Sequence, residues 1–110
     1  MIDESAFTAL TGRVLAAIGS ALDASGGDLD WSENEGVLSI ECADGSRIIV
    51  NRHGPNRELW VAAKSGGFHF RADADAWRDT RSGEELGAAL ERLLQAQAGI
   101  ALRFPQLPAS

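Results

Sequence analysis

Apolar residues recur at every third or fourth position near the start of the chain, which is the pattern of a helix that buries one face. This stripe comprises Phe7, Leu10, Val14, Leu15, Ile18 and Leu22. Asp3 and Glu4 precede it, where carboxylates favour the positive end of a helix dipole. The pattern stops at Ser25-Gly26-Gly27. We therefore predict a first helix of about 20 residues, roughly 30 Å long.

A second helical stripe lies near the end of the chain and contains Leu86, Ala89, Leu90, Leu93 and Leu94. Ser82 and Glu85 have the spacing of a capping box, which predicts Ser82 as the N-cap of this helix. Gly99 marks its end. The alternating apolar residues Leu102 and Phe104 follow, so we expect 99–110 to be an extended tail packed in the groove between the helices.

Between the helices, apolar and polar residues alternate as they do in strands with one buried face. Turn signals such as Asp44-Gly45 and Ser65-Gly66-Gly67 divide this region into short segments. The predicted strands are 28–32, 37–42, 47–51, 58–63, 68–71 and a short one around Trp77. The order predicts a single α+β domain over 1–110, a two-layer sandwich with two helices packed on one face of an antiparallel β-sheet of about six strands.

The period of two along each strand predicts which side chains face the helices. The predicted inner residues are Leu38, Ile40, Ile48, Val50, Leu59, Val61, Phe68 and Phe70, and the outer ones are Arg47, Ile49, Asn51, Trp60, His69 and Arg71. No element remains to cover the outer face. Tryptophan is usually a core residue, but the strand neighbours of Trp60 already occupy the core side, so we expect its ring on the open face.

A large aromatic residue beside polar and cationic side chains is the composition of a protein-binding hot spot. We therefore predict that Asn51, Arg52, Trp60, His69 and Arg71 bind a partner protein. A lone histidine such as His69 is more often a surface polar group than a metal ligand, because no acidic or histidine neighbour accompanies it in the sequence.

The charge of the chain is unevenly distributed. Net charge is −6, which argues against a general nucleic-acid binder because phosphate neutralisation needs clustered cations. Residues 1–46 hold nine acids and one base, a net of −8, whereas 47–110 hold seven acids and nine bases, a net of +2. The amino-terminal part should attract cations or a basic protein.

Carboxylates close in sequence could bind a cation. Asp28 and Asp30 lie on one face of a predicted strand, about 6–7 Å apart, with Asp23 across the glycine turn and Glu33 nearby. Such oxygen ligands suit iron, manganese, calcium or magnesium. The EF-hand pattern fails, since Glu33 and Ser39 stand where glycine and glutamate are required. A solvated acidic edge explains the same residues equally well.

Enzymatic chemistry has little support. The chain contains one cysteine, Cys42, which alternation points into the core, and it contains no nucleophile, phosphate-binding or zinc-binding motif. We expect a protein that is not an enzyme. No apolar run approaches the roughly 20 residues of a membrane span, and the acidic start is not followed by a signal region, so we expect no membrane contact and a cytoplasmic location.

Taken together, these motifs resemble the frataxin family, of the bacterial CyaY type, over nearly the whole chain. The segments that carry the resemblance are Ile48-Ile49-Val50-Asn51-Arg52, Pro55, Leu59-Trp60-Val61-Ala62, Ser65-Gly66-Gly67-Phe68-His69-Phe70, Trp77, Asp79 and Arg81-Ser82-Gly83-Glu84-Glu85-Leu86. The resemblance implies the same two-layer sandwich. It also implies that Asn51 and Trp60 are the family's residues on the open sheet.

The resemblance further implies a monomeric regulator of iron–sulfur cluster assembly that binds a cysteine desulfurase and the scaffold protein and modulates sulfur transfer. Iron, as Fe²⁺ or Fe³⁺, would bind weakly at a ridge of surface carboxylates: Asp3, Glu4, Asp23, Asp28, Asp30 and Glu33. Gly19 and Ser20 stand where related bacterial proteins tend to carry acids, so we expect weaker iron binding. An iron-oxidising or iron-storing protein, and an acidic interaction module without a metal role, remain alternatives.

Overall fold

The computed structural model describes residues 2–25 and 29–110, in which two helices enclose six strands along the chain. Helix α1 spans Glu4–Ala24 and α2 spans Leu86–Ala98. The strands are β1 (Asp30–Asn34), β2 (Val37–Glu41), β3 (Arg47–His53), β4 (Glu58–Ala63), β5 (Gly66–Ala72) and β6 (Trp77–Asp79). They form one antiparallel sheet in the order β1-β2-β3-β4-β5-β6. The predicted α+β fold class is confirmed.

The predicted alternation is also confirmed. The inner side chains of the sheet are almost fully buried, and the apolar stripes of both helices complete the same core: Leu38, Ile40, Ile48, Val50, Leu59, Val61 and Phe70 from the sheet, and Phe7, Leu10, Val14, Leu15, Ile18, Leu22, Leu86, Leu90, Leu93 and Leu94 from the helices. Phe68 is half-buried. One face of the sheet is therefore covered by helices, and we call the opposite side the open face.

The predicted start of the second helix is wrong. Its N-cap is Glu85, whose carboxylate accepts hydrogen bonds from the backbone N–H groups of Gly87 and Ala88 at 2.7 and 3.0 Å. Gly83 has a φ of 79°, a left-handed conformation that interrupts a helix. Glu85 also bridges to Arg78 of β6, which holds the preceding backbone extended. The helix therefore begins at Leu86.

The tail from Gly99 to Ser110 has neither helix nor strand, and it contacts both helices. Arg13 of α1 donates to the Ser110 carbonyl, and the backbone N–H of Phe104 donates to Glu91 of α2. Leu102 and Phe104 are only half-buried. The buried residue of the tail is Leu107, which lies beyond Pro105, where the apolar alternation had ended.

Helix α1 is apolar enough, by length and composition alone, to cross a membrane, with a mean hydropathy of 1.3 over 18 residues. The short apolar runs of the sequence do not suggest this. In the structure its apolar side packs on the sheet, and 44% of that segment is buried. The same combination is found in core helices of soluble proteins, so the hydropathy is weak evidence for a membrane span.

Candidate functional site

The register of the sheet brings two groups of outer side chains together on the open face. The central row crosses the strands β1 to β5 through paired residues, in the order Asn34, Val37, Asn51, Trp60 and His69. Val37 is 38% exposed. In the next row, which we call the arginine row, His53 pairs with Glu58, Glu58 with Arg71, and Arg71 with Arg78. Trp60 belongs to the central row and lies two positions from Glu58 of the arginine row in β4.

The indole of Trp60 is stacked between two imidazoles. The ring of His53 lies 3.7 Å from the Trp60 ring, centroid to centroid, with an angle of 9° between planes. The ring of His69 lies on the other side at 4.3 Å and 10°. Trp60 is consequently half-buried, although it lies on the open face as predicted. The two histidines fix the plane of the ring.

Glu58 fixes the rotation of the indole within its own plane by a hydrogen bond to Nε1. Its Oε1 accepts a hydrogen bond from Trp60 Nε1 at 2.8 Å, and its Oε2 accepts one from Arg71 Nη2 at 2.6 Å. Glu58 is only 4% exposed. Burial by itself would raise the pKa of this carboxyl, but the bonds from Trp60 and Arg71 and the charges of Arg71 and His69 outweigh it, so the pKa lies below its ordinary value.

Arg52 does not lie on the open face, which corrects its predicted place in the partner-binding set. It pairs with Leu59 in the register and so points to the helix side. There Nε donates to Thr11 Oγ1 at 2.6 Å, and Nη2 donates to the Thr8 carbonyl at 3.3 Å. Because Arg52 directly follows Asn51 along the strand, the two side chains must point to opposite faces. Arg52 links the sheet to α1.

The other four residues predicted to bind a partner lie together on the open face, around the Trp60 ring. Asn51, Trp60 and His69 lie side by side, and Arg71 reaches them through Glu58. His53 and Glu58 also contact this ring and were not among the predicted residues. Alternation from Asn51 and Trp60 places both on the outer face, but the predicted strand ended at Asn51, and a glutamate at a strand end is ordinarily solvated.

The predicted cation ligands lie along a second region, the carboxylate edge, which we define as Asp3, Glu4, Asp23, Asp30 and Glu33 on α1 and β1. Asp28, the sixth predicted ligand, lies outside the described residues. Asp30 and Glu33 are exposed and three positions apart in β1, so they point to opposite sides of the strand. Asp3 caps α1 through a 2.7 Å bond from the backbone N–H of Ala6.

The carboxylate edge is too long to act as one ion site. Helix α1 has 21 residues, so Asp3 and Asp23 lie about 30 Å apart along its axis. Among residues 2–25 and 29–110, no three His, Cys, Asp or Glu side chains are grouped to hold a metal ion. Separate exposed carboxylates suit weak attraction of a hydrated oxygen-seeking cation rather than a closed coordination cage.

Trp31 of β1 contacts α1 next to the carboxylate edge and was not among the predicted site residues. Its indole packs on Gly19: a Cβ at that position would lie 2.5 Å from the Trp31 ring. Trp31 Nε1 donates to Asp23 Oδ1 at 2.8 Å. A side chain at position 19 would therefore have to displace the Trp31 ring. Asp23, one of the predicted cation ligands, already has a hydrogen-bond partner.

Comparison with known proteins agrees with this fold. The model of the frataxin-like domain matches residues 1–100. The iron-sulfur cluster assembly protein CyaY of Dechloromonas aromatica is 52% identical over 102 residues, covering 92% of this chain and 97% of that protein. That of Cupriavidus pinatubonensis is 48% identical over 107 residues, covering 94% and 96%.

Solved structures give the same result. Frataxin from Psychromonas ingrahamii superposes with a TM-score of 0.90 at 27% identity, covering 94% of this chain and 99% of that one. A trimeric yeast frataxin complexed with ferrous ion has a TM-score of 0.66 at 20% identity, covering 90% and 88%, and so shows the fold alone. The chain belongs to the frataxin family, and the predicted resemblance is confirmed.

Proposed function

We propose that the protein is an iron-binding, non-enzymatic regulator of iron–sulfur cluster assembly. It docks on the complex of a cysteine desulfurase with its scaffold protein and modulates sulfur transfer. We place it in the cytoplasm as a monomer. The observation that carries the docking role is the fixed orientation of Trp60 on a sheet face that no described element covers.

The arrangement around Trp60 favours short-range binding. Ordering a free side chain on association costs about 0.5–1.5 kcal/mol. Two ring contacts and one hydrogen bond already order this indole, so little of that cost remains. Tryptophan is the residue type most enriched among binding hot spots. Asn51 and exposed Val37 extend the same row and enlarge the contact area available to a partner.

The carboxylate edge supports a different part of the proposal. Its oxygens suit Fe²⁺ or Fe³⁺ as weakly held, hydrated ions, here as cargo or signal rather than a resident cofactor. The same negative charge attracts a basic patch on the desulfurase complex and speeds encounter. That attraction weakens over a Debye length of about 8–10 Å at physiological salt. The anchor at Trp60 does not depend on salt in this way.

The test is binding of Trp60→Ala to the purified desulfurase–scaffold complex, measured by calorimetry. We expect Kd to rise about tenfold or more, which corresponds to roughly 1.4 kcal/mol. Phe104→Ala is the matched control, since it removes a half-buried aromatic ring from the tail on the helix side. Thermal unfolding checks that both variants are folded. A folded Trp60→Ala variant that binds like wild type would remove the proposed docking face.

A further inference from the structure

Around Trp60, the carboxylate of Glu58 already has hydrogen-bond partners, while several donors remain available. Both oxygens of Glu58 are used, one by Trp60 and one by Arg71. The indole N–H of Trp60 is used as well. Nδ1 of His53 accepts the backbone N–H of Asn56 at 3.3 Å, so the neutral ring carries its proton on Nε2, which remains a donor.

The arginines of this row add charged donors. The Arg71 side chain is 64% exposed and uses one of its five N–H groups on Glu58. Arg78 is exposed and donates to the Gly83 carbonyl at 3.2 Å. Among residues 2–25 and 29–110, no carboxylate lies within ion-pair distance of Arg78. Its charge is therefore not neutralised by a carboxylate of the described residues.

The open face thus has two ends of opposite sign. The arginine row carries two guanidinium groups and one carboxylate, which together have a net charge of +1. Asp30, Glu41 and Arg47, which pair across β1, β2 and β3, carry a net of −1 at the other end. Arg47 and His53 are six positions apart in β3, about 20 Å at 3.3 Å per residue. The positive end stands out in a chain whose net charge is −6.

The stacking geometry decides how a partner meets Trp60. An imidazole covers each face of the indole at van der Waals distance, so a partner's ring cannot stack on it without displacing a histidine. The exposed part is the ring edge. A partner segment that reaches this edge also meets the donors of His53, Arg71 and Arg78, and bidentate acceptance of arginine N–H groups is typical of carboxylates.

We propose that the arginine row receives an Asp- or Glu-bearing segment of the partner protein, with Trp60 packing edge-on against an apolar side chain of that segment. This inference rests on the docking role proposed above and specifies the partner's chemistry. The charge of this partner segment is opposite to that of the basic patch that the carboxylate edge attracts. Two contacts of opposite sign, one on each region, would fix the orientation of the protein on its partner.

The first test uses two peptides as probes, hexaglutamate and hexalysine, each titrated into ¹⁵N-labelled protein at low salt. Hexaglutamate is expected to shift the backbone signals of His53, Arg71 and Arg78 and the indole signal of Trp60. Hexalysine is expected to shift Asp23, Asp30 and Glu33 instead. Arg78→Glu should abolish the hexaglutamate shifts, whereas Arg103→Glu, a matched charge reversal on the tail, should leave them. Shifts centred on Arg13 or Arg103, or none at all, would overturn the inference.

The second test measures binding of the same variants to the desulfurase–scaffold complex. Arg78→Glu is expected to raise Kd about three- to tenfold, and Arg103→Glu to leave it unchanged. If Trp60→Ala weakens binding but Arg78→Glu does not, the docking face stands and the carboxylate-bearing partner is excluded. If hexaglutamate binds at the arginine row but Trp60→Ala leaves complex binding unchanged, the proposed function fails while the donor chemistry of the row is supported.

Discussion

The open face around Trp60 and the carboxylate edge are built in different ways. On the open face, His53, Glu58 and His69 come from β3, β4 and β5 and converge on one ring, which they hold from three directions. Along the edge, charges are spread over about 30 Å, and only Asp3 and Asp23 make side-chain hydrogen bonds within the part of the chain that the structure describes.

This difference corresponds to two physical tasks. Short-range recognition depends on side chains already held in their bound geometry, because ordering them later costs free energy. Long-range attraction depends only on the sign and density of charge. A region of separate carboxylates therefore tolerates changes in individual residues, whereas the group around Trp60 does not. The comparison predicts which substitutions act on stability, which act on binding, and in what order of size.

The largest stability effect is expected next to the carboxylate edge, at Gly19 of α1, where Trp31 packs. Gly19→Ala would place a Cβ 2.5 Å from the Trp31 ring, which must move. Overpacking of this kind costs about 1–3 kcal/mol, of which the preference of helices for alanine over glycine offsets about 1 kcal/mol. Urea denaturation should show this loss in the free energy of unfolding, while binding to the desulfurase–scaffold complex changes little because the open face is untouched.

Gly12→Ala is the matched control for this prediction, since it lies in the same helix. A Cβ at Gly12 meets its nearest atom, of Arg52, at 3.9 Å, which is ordinary contact. Alanine is favoured over glycine within helices by about 1 kcal/mol, so this variant should be as stable as wild type or more so. Equal stability of the two variants would show that Trp31 leaves the helix surface at little cost.

A smaller effect is expected from the buried carboxylate of the open face. Glu58→Gln keeps an acceptor for Trp60 but loses the charge-assisted bond to Arg71. Such bonds contribute about 1.5–3 kcal/mol, less here because Arg71 is mostly exposed, so we expect a loss of about 1 kcal/mol at pH 7. Glu41→Gln, at an exposed carboxylate on the same face, should cost almost nothing.

The pH dependence of this variant gives a sign test. The folded pKa of Glu58 lies below the ordinary value of 4.5, so the folded state binds fewer protons than the unfolded state in that range. The contribution is fully present above about pH 5 and is lost as pH falls through the folded pKa. The stability difference between wild type and Glu58→Gln should shrink as the pH falls below about 5. A difference that grows on acidification would contradict the arrangement.

Much of the open face was predictable, because alternation depends only on neighbouring residues. Trp60 and Asn51 are placed by Leu59, Val61 and Val50 on either side. Strand alternation also places Arg52, the residue after Asn51, on the helix side of the sheet. His53 was missed because the strand end was set too early: pairing with Glu58 extends β3 past the apolar residues that marked it.

The stack itself could not be predicted. It requires His69 to lie directly opposite Trp60 and His53 to lie diagonally across from it, and that register depends on the lengths of two loops. Gly19 shows a second limit. The family resemblance marks it only as a position without an acid, and the contact with Trp31, twelve residues later in the sequence, shows that a side chain here would displace that ring.

The smallest effect is expected at Asp23, which is both a predicted cation ligand and the hydrogen-bond acceptor of Trp31. A cation that binds this carboxylate competes with the Trp31 N–H, which donates at 2.8 Å. A net hydrogen bond contributes about 0.5–1.5 kcal/mol, and the low end applies at this exposed pair. Trp31→Phe removes the donor while keeping an aromatic ring over Gly19, so Asp23 should bind Fe²⁺ about twofold more tightly, as followed by anaerobic NMR titration. Asp23→Asn, which keeps the acceptor but removes the charge, should lose the response in both backgrounds. If Trp31→Phe binds no more tightly than wild type, the indole does not compete with a cation for this carboxylate.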